Sequence, residues 1–314
     1  VRVLFWGTPE FAAPALRALV GEGFDVAGVV TQPDKPQGRS RRPSAPPIKL
    51  IALEEKIPCF QPAAPREAKF GDMLAQMDLD ISIVVAYGHI LPKRLVELPK
   101  LGTLNIHASL LPALRGAAPI QAAIRQGLTE TGVSIMRMVP ALDAGPVILQ
   151  APTPILEDET YGELQLRLSE LGALVLIEAL TLVSLGQAPE TEQDESLVTY
   201  APKITRDDAR IDWRLDAAEV ARTIRAYDPK PGAFTTRLGK DVKMFGPRPV
   251  DDASTDSPES RVPGRVLSAD GGLVVQCGRG SLRVADVQPS GKSRMTASEW
   301  SRGRGVSVGD VFGS

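Results

Sequence analysis

Thr103-Leu104-Asn105-Ile106-His107-Ala108-Ser109-Leu110-Leu111-Pro112 is the stretch from which the rest of this chain can be read. Its first five residues have the apolar, β-branched character of a buried strand, and the Ser and Pro that follow end it. Side chains alternate across a strand, so Asn105 and His107 share one face at its carboxyl end. An amide donor beside an imidazole suits a carbonyl oxygen that becomes an oxyanion. The same pattern also fits a capped strand end with a satisfied core histidine. The chain has only 2 histidines, so an acid-base role for imidazole is confined to His89 and His107.

Outward from this strand, short apolar runs alternate with longer amphipathic ones. The pattern predicts strands over 1–6, 24–31, 81–86, 103–107 and 133–138. Helices are predicted over 12–20, 48–56, 66–77 and 117–126, with a long closing helix over 160–185. This is the signature of βαβ units: an α/β, Rossmann-like, mainly parallel sheet covered on both faces, with its ligand cleft at the carboxyl ends of the strands. Residues 186–206 read as a linker. Beyond it, a helix at 217–227 and short strands at 233–238, 242–245, 264–267, 273–276 and 282–287 predict a small open antiparallel barrel. The expected division is 1–185, linker 186–206 and 207–314.

Composition sets outer limits. The 314 residues, 43% hydrophobic and 24% charged, suit two soluble domains. No apolar stretch approaches the roughly 20 residues that span a bilayer, and a cytoplasmic protein is expected. Cys59 and Cys277 stand far apart, without CxxC pairing, so neither a disulfide framework nor a metal-ligand cluster is expected. The net charge of −2 conceals an asymmetry: residues 1–202 carry 17 basic and 23 acidic side chains, residues 203–314 carry 19 and 15. The second part is the electropositive one, as a polyanion-binding domain would be.

Three further segments bear on the cleft. Asp143, in Ala141-Leu142-Asp143-Ala144-Gly145-Pro146, follows a predicted strand within reach of His107, although an Asp near Gly is also an ordinary turn former. Residues 34–49 set Lys35, Arg39, Arg41, Arg42 and Lys49 against the single acid Asp34. Their prolines forbid helix, so an extended, mobile, cationic loop is expected over the cleft, suited to phosphate. Gly7-Thr8-Pro9-Glu10-Phe11 occupies the place of a nucleotide-binding turn but lacks GxGxxG spacing, which argues against a dehydrogenase.

Together these residues resemble the methionyl-tRNA formyltransferase family. The resemblance is carried by Asn105 to Pro112, Arg115-Gly116-Ala117-Ala118-Pro119-Ile120, Gly7 to Phe11, Gln32-Pro33-Asp34, Val85-Ala86-Tyr87-Gly88 before Ile90-Leu91-Pro92, and Thr131-Gly132-Val133. Leu197 to Ala201, Arg210-Ile211-Asp212-Trp213 and Pro231-Gly232-Ala233-Phe234 continue it along almost the whole chain. Ala113, Leu114 and Lys230 depart from the family's usual residues.

The resemblance implies a formyltransferase domain followed by an OB-like, tRNA-binding one. It implies transfer of a formyl group from 10-formyltetrahydrofolate to the α-amine of methionyl initiator tRNA, with tetrahydrofolate released and no metal. Asn105, His107 and Asp143 would be catalytic. Tyr87, Gly88, Ile90, Ser109, Leu110, Leu111 and Pro112 would bind the folate, and Lys35, Arg39, Arg41 and Arg42 the acceptor stem. No obligatory protein partner and no role for His89 are expected. The rival readings are a formyl-folate enzyme acting on another amine, such as a nucleotide sugar or glycinamide ribonucleotide, and a noncatalytic tRNA-binding protein.

Overall fold

Val3, Leu4, Phe5 and Trp6 are all buried, because strand β1 (Arg2–Gly7) has a partner on each side and cover on both faces. The structure, a computed structural model, describes residues 1–37, 42–250 and 262–313. It packs as two units interleaved in sequence. One comprises 1–119, 130–154 and 165–202; the other comprises 120–129, 155–164 and 203–314.

The first unit is built on a seven-stranded sheet. Along the chain come β1, α1 (Ala13–Gly21), β2 (Asp25–Val30), β3 (Lys35–Gln37), β4 (Arg42–Ser44), α2 (Pro47–Glu54), β5 (Cys59–Phe60) and α3 (Ala68–Ala75). There follow β6 (Ile81–Val85), α4 (Lys93–Val96), β7 (Thr103–His107), α5 (Pro119–Gln126), β8 (Glu130–Arg137), β9 (Val147–Pro154) and α6 (Tyr161–Ser184), of which α5 beyond its first residue and the first turn of α6 fall in the second unit. The order across the sheet is β5-β2-β1-β6-β7-β8-β9. It is parallel from β5 to β7 and antiparallel at β8 and β9. Chain order reverses between β1 and β6, the arrangement that opens a crevice at the strands' carboxyl ends.

Sequence and structure part company at three places here. The proline-rich stretch 34–49, expected as an extended loop, contains the antiparallel pair β3–β4, with Pro36 opposite Pro43, and its last residues begin α2. An isolated two-stranded ribbon, in which each strand is an edge, tolerates prolines that a central strand does not. Strand β9 escapes the sequence reading because Pro152 and Pro154 interrupt its pattern, yet it is the sheet's edge strand, bridged on its outer side only at Val147. The connector-like residues 186–202 run along the first unit, where Thr191 pairs with Val147 and Tyr200 with Arg115.

In the second unit, α7 (Ala217–Ala226) opens with a capping box in which Asp216 and Glu219 exchange side-chain and backbone hydrogen bonds. Ala217, Val220, Ala221 and Ile224 form its buried stripe at helical spacing. They pack with Trp213, Met244, Val275, Leu282, Val287, Trp300 and Phe312 in one core. The sheet runs β10 (Phe234–Arg237), β11 (Lys240–Val250), β14 (Ser281–Pro289), β13 (Leu273–Gln276), β12 (Val266–Ser268), with β15 (Met295–Thr296) also on β14, and α8 (Ala297–Arg302) follows. Every pairing is antiparallel, and β10 and β12 do not pair with one another, so this is the open barrel that the turn spacing predicts. Among the described residues no helix is long and apolar enough to cross a membrane.

Ile224, fully buried in this core, gives a check on the packing. Ile224→Ala should destabilise the second unit by about 2–5 kcal/mol in urea unfolding, whereas a loss below about 0.5 kcal/mol would place the side chain outside the core.

Candidate active site

Strand β7 delivers its two polar side chains as the alternation requires: Asn105 is half-buried, and His107 is buried two residues on. Ser134 of β8 pairs with His107 and Arg137 with Leu104. The chain therefore leaves β8 at the amino end of β7, and a simple turn there would keep Asp143 away from His107. Residues 138–146 instead return along the sheet, bringing Asp143 Oδ2 to 3.7 Å from His107 Nδ1.

A second loop touches both groups. His107 Nε2 donates to the Leu114 carbonyl at 3.0 Å, and two residues later the Gly116 amide donates to Asp143 Oδ2 at 2.8 Å. That loop holds an unusual backbone, with Leu114 at φ 60 and Gly116 at φ 123. A Cβ on Gly116 would lie 2.5 Å from the Ala201 carbonyl oxygen, so glycine is required there on two counts. Asp143 and Ala86, at the head of the loop after β6, also adopt left-handed conformations, at φ 49 and 47. Such strain persists only where surrounding contacts over-determine it, and it gathers at functional sites.

Burial pushes the His107 imidazole below its ordinary pKa; the Asp143 charge and the Leu114 carbonyl push the other way and do not overcome it. The resting imidazole is thus neutral at pH 7. With Nε2–H committed to Leu114, its lone pair sits on Nδ1, facing the carboxylate. A neutral base whose conjugate acid would meet a carboxylate is equipped to accept a proton. The Asn105 carboxamide makes no hydrogen bond to any described residue and is a free donor.

The segment 109–112 is tied down from the sheet. The Ser134 hydroxyl donates to the Ser109 carbonyl at 2.6 Å, and accepts from the Leu111 amide at 3.0 Å and from Gln150 Nε2 at 2.9 Å. The Ser109 hydroxyl donates to the Ala113 carbonyl within its own turn, and Leu111 is buried, while Leu110 and Pro112 are half-buried. Of the other folate candidates, Tyr87 is only 1% exposed and lies edge-on to Trp6, with burial raising its phenol to about 12. Its carbonyl takes hydrogen bonds from the Thr8 hydroxyl and Gln32 Nε2, both at 3.0 Å, so it shapes the loop from beneath. Gly88 and Ile90 are exposed, Ile90 at 92%. Leu142, next to Asp143, is 62% exposed. Exposed apolar side chains beside convergent backbone groups fit a planar heterocycle.

Of the basic residues, Lys35 donates to Gln32 Oε1, and Arg42 begins β4, while Arg39 and Arg41 lie outside the described residues. Asp34 is not idle against them. It accepts from Gln61 and Lys49, contacts that hold its carboxyl below the usual range, and Lys49 is thereby paired at 2.9 Å. A cavity of about 480 Å³ in the second unit is lined by Arg206, Phe234, Asp241 and Lys243, among others, and by none of the catalytic candidates. Among the described residues no cluster of three or more His, Cys, Asp or Glu is placed to hold a metal.

Several residues of the site escape sequence reasoning. Ser134 leaves a faint trace, a hydroxyl inside an apolar strand. Leu114 acts through its backbone carbonyl, and Gln193 arrives from the connector-like segment, where nothing in the local pattern marks it; Gly116 and Thr199 lie in stretches that carry the family resemblance, though their contacts do not show there.

The model of the formyl transferase family matches residues 1–180, and that of the formyl transferase C-terminal domain matches 203–305. The methionyl-tRNA formyltransferase of Methylococcus capsulatus is 45% identical over 96% of both chains. That of Syntrophus aciditrophicus is 41% identical over 100% of this chain and 99% of its own. Among solved structures, HypX from Aquifex aeolicus in complex with tetrahydrofolic acid is similar, with a TM-score of 0.64 at 20% identity over 95% of this chain. This chain spans 46% of that one. The N-formyltransferase from Helicobacter canadensis, in complex with folinic acid and dTDP-3-aminofucose, has a TM-score of 0.66 at 14% identity, covering 92% of this chain and 99% of that one. At such identities the two structures show a common fold.

The electrostatic balance at His107 can be read by NMR, since only 2 histidines contribute imidazole signals and a His89→Gln variant assigns them. His107 should titrate below about 6.5. Asp143→Asn should lower the midpoint further, because the carboxylate favours the protonated ring. A wild-type midpoint above that of an exposed histidine would show that burial does not dominate.

Proposed function

The chain belongs to the methionyl-tRNA formyltransferase family, and from that premise we propose how its residues carry the reaction. It transfers a formyl group from 10-formyltetrahydrofolate to the α-amine of methionyl initiator tRNA. The formyl donor supplies the electrophilic carbonyl; the chain's residues position it and manage charge and protons. The unpaired Asn105 carboxamide donates to the formyl oxygen as charge develops on it during attack by the amine. His107 Nδ1 takes the proton that the amine sheds, and Asp143 stabilises the imidazolium so formed. The same proton is then available to the departing folate nitrogen, which balances the step. The single observation that carries this reading is the contact between His107 and Asp143, held by one loop beside a free amide donor.

Gly88, Ile90 and Leu142 supply a rim for the folate ring in this reading, and Ser109, Leu110, Leu111 and Pro112 form its wall. Tyr87 contributes through the loop it anchors. Lys35, Arg39, Arg41 and Arg42 meet the acceptor stem. The part from 1 to 185 performs the chemistry, and 207–314, with its basic excess, adds affinity for the rest of the tRNA. The setting is the cytoplasm, where the tRNA is charged and used.

The reading is tested by mixing the purified protein with 10-formyltetrahydrofolate and comparing methionyl initiator tRNA with elongator methionyl-tRNA and free methionine. Formylation should be strongly selective for the initiator. In single-turnover assays Asn105→Ala and His107→Ala should each slow transfer by roughly a hundredfold or more; near-wild-type rates would remove their roles. Replacing Arg39, Arg41 and Arg42 with alanine should raise KM for tRNA and flatten its salt dependence, by up to about 0.9 in log–log slope for each phosphate no longer neutralised. An unchanged slope would take these arginines out of the interface.

A further inference from the structure

Arg115 is 3% exposed, and a buried guanidinium must have its donors met. Its Nε and Nη2 reach Gln193 Oε1 at 3.0 and 2.8 Å, and its Nη2 also meets Glu195 Oε1 at 2.9 Å. This fixes the orientation of the Gln193 amide. With the oxygen turned to Arg115, Nε2 faces the other way and donates to the Asp143 and Gly145 carbonyls, both at 2.8 Å. Gly145 is itself pressed against the chain: a Cβ there would lie 1.8 Å from the Arg137 carbonyl oxygen. The turn that presents Asp143 in a left-handed conformation is therefore held at one end by close backbone packing and along its length by one amide.

We propose that Gln193 is a positioning residue for the reaction, holding the 143–145 turn so that Asp143 meets His107 and the Gly116 amide, with Arg115 setting the direction of its amide. The inference rests on the catalytic assignment of Asp143 made above. Gln193 touches no reacting group; it acts through the backbone of the residue that does. Its carboxamide has the required form, one acceptor for a cation and two donors for two carbonyls. Glutamate in its place would still pair with Arg115 but would turn an oxygen toward both carbonyls.

That difference separates positioning from mere tethering. Full-length Gln193→Ala, Gln193→Glu and Asp143→Asn should be compared with wild type in single-turnover formylation, KM for initiator tRNA, thermal melting and NMR titration of His107. Both Gln193 variants should lose about tenfold or more in rate, as a displaced catalytic group does, with KM for tRNA changed less than about twofold. In Gln193→Ala, which leaves the charge unchanged, the His107 midpoint should fall toward that of Asp143→Asn as the carboxylate withdraws.

A wild-type rate in Gln193→Glu would overturn the proposal, because pairing with Arg115 would then be all that matters. So would a wild-type rate and midpoint in Gln193→Ala, or a loss explained by a collapse in melting temperature. A wild-type rate in Asp143→Asn is a distinguishable failure, since it would refute the assignment on which the proposal stands.

Discussion

The contact of Gly116 with the Ala201 carbonyl sets the geometry on which the site depends. The backbone from Leu114 to Gly116 passes so close to residues 199–201 that it cannot carry a side chain at Gly116. The neighbouring segment supplies the hydrogen bonds that hold it there: the Arg115 amide donates to the Thr199 carbonyl, the Ala201 and Ala118 amides to the Arg115 and Ala201 carbonyls, and the Leu114 amide to the Thr199 hydroxyl. Once the loop is fixed, the Leu114 carbonyl and Gly116 amide have nowhere to point but at His107 and Asp143. The left-handed Leu114 costs of order 1–3 kcal/mol, offset by bonds made elsewhere in the same crossing.

Electrostatics follows from this arrangement. A buried imidazole, and a carboxylate that keeps only part of its exposure, would pay if left without partners. Each is met by one backbone group of matching polarity, and each leaves an edge turned to the other. At 3.7 Å the carboxylate is near enough to favour the protonated ring, though not enough to overcome burial. Burial keeps the resting ring neutral, and proton uptake would create the ion pair. This order of events suits a group that receives a proton during the reaction rather than one that starts with it.

The sequence carried much of this, unevenly. β7 and β13 were legible to the residue because their apolar runs are uninterrupted, and the Asn105–His107 pairing followed from alternation alone. Segments governed by tertiary context were not: β9 hides behind its edge-strand prolines, and the β3–β4 hairpin behind a composition that reads as loop. Asp143 was identified, but its route was not, since an antiparallel β8 sends the chain away from His107 before residues 138–146 bring it back. Gln193 was silent because its meaning comes from Arg115 and Asp143, 78 and 50 residues away, and no local periodicity encodes a bond at that distance.

The most direct test of the central claim is the single-turnover formylation rate of Gly116→Ala, measured alongside its affinity for 10-formyltetrahydrofolate and its circular dichroism. If the crossing at Ala201 aligns His107 and Asp143, the added methyl should cost roughly a hundredfold in rate, with native circular dichroism and donor affinity within about threefold of wild type. A folded variant transferring formyl groups at the wild-type rate would contradict the account.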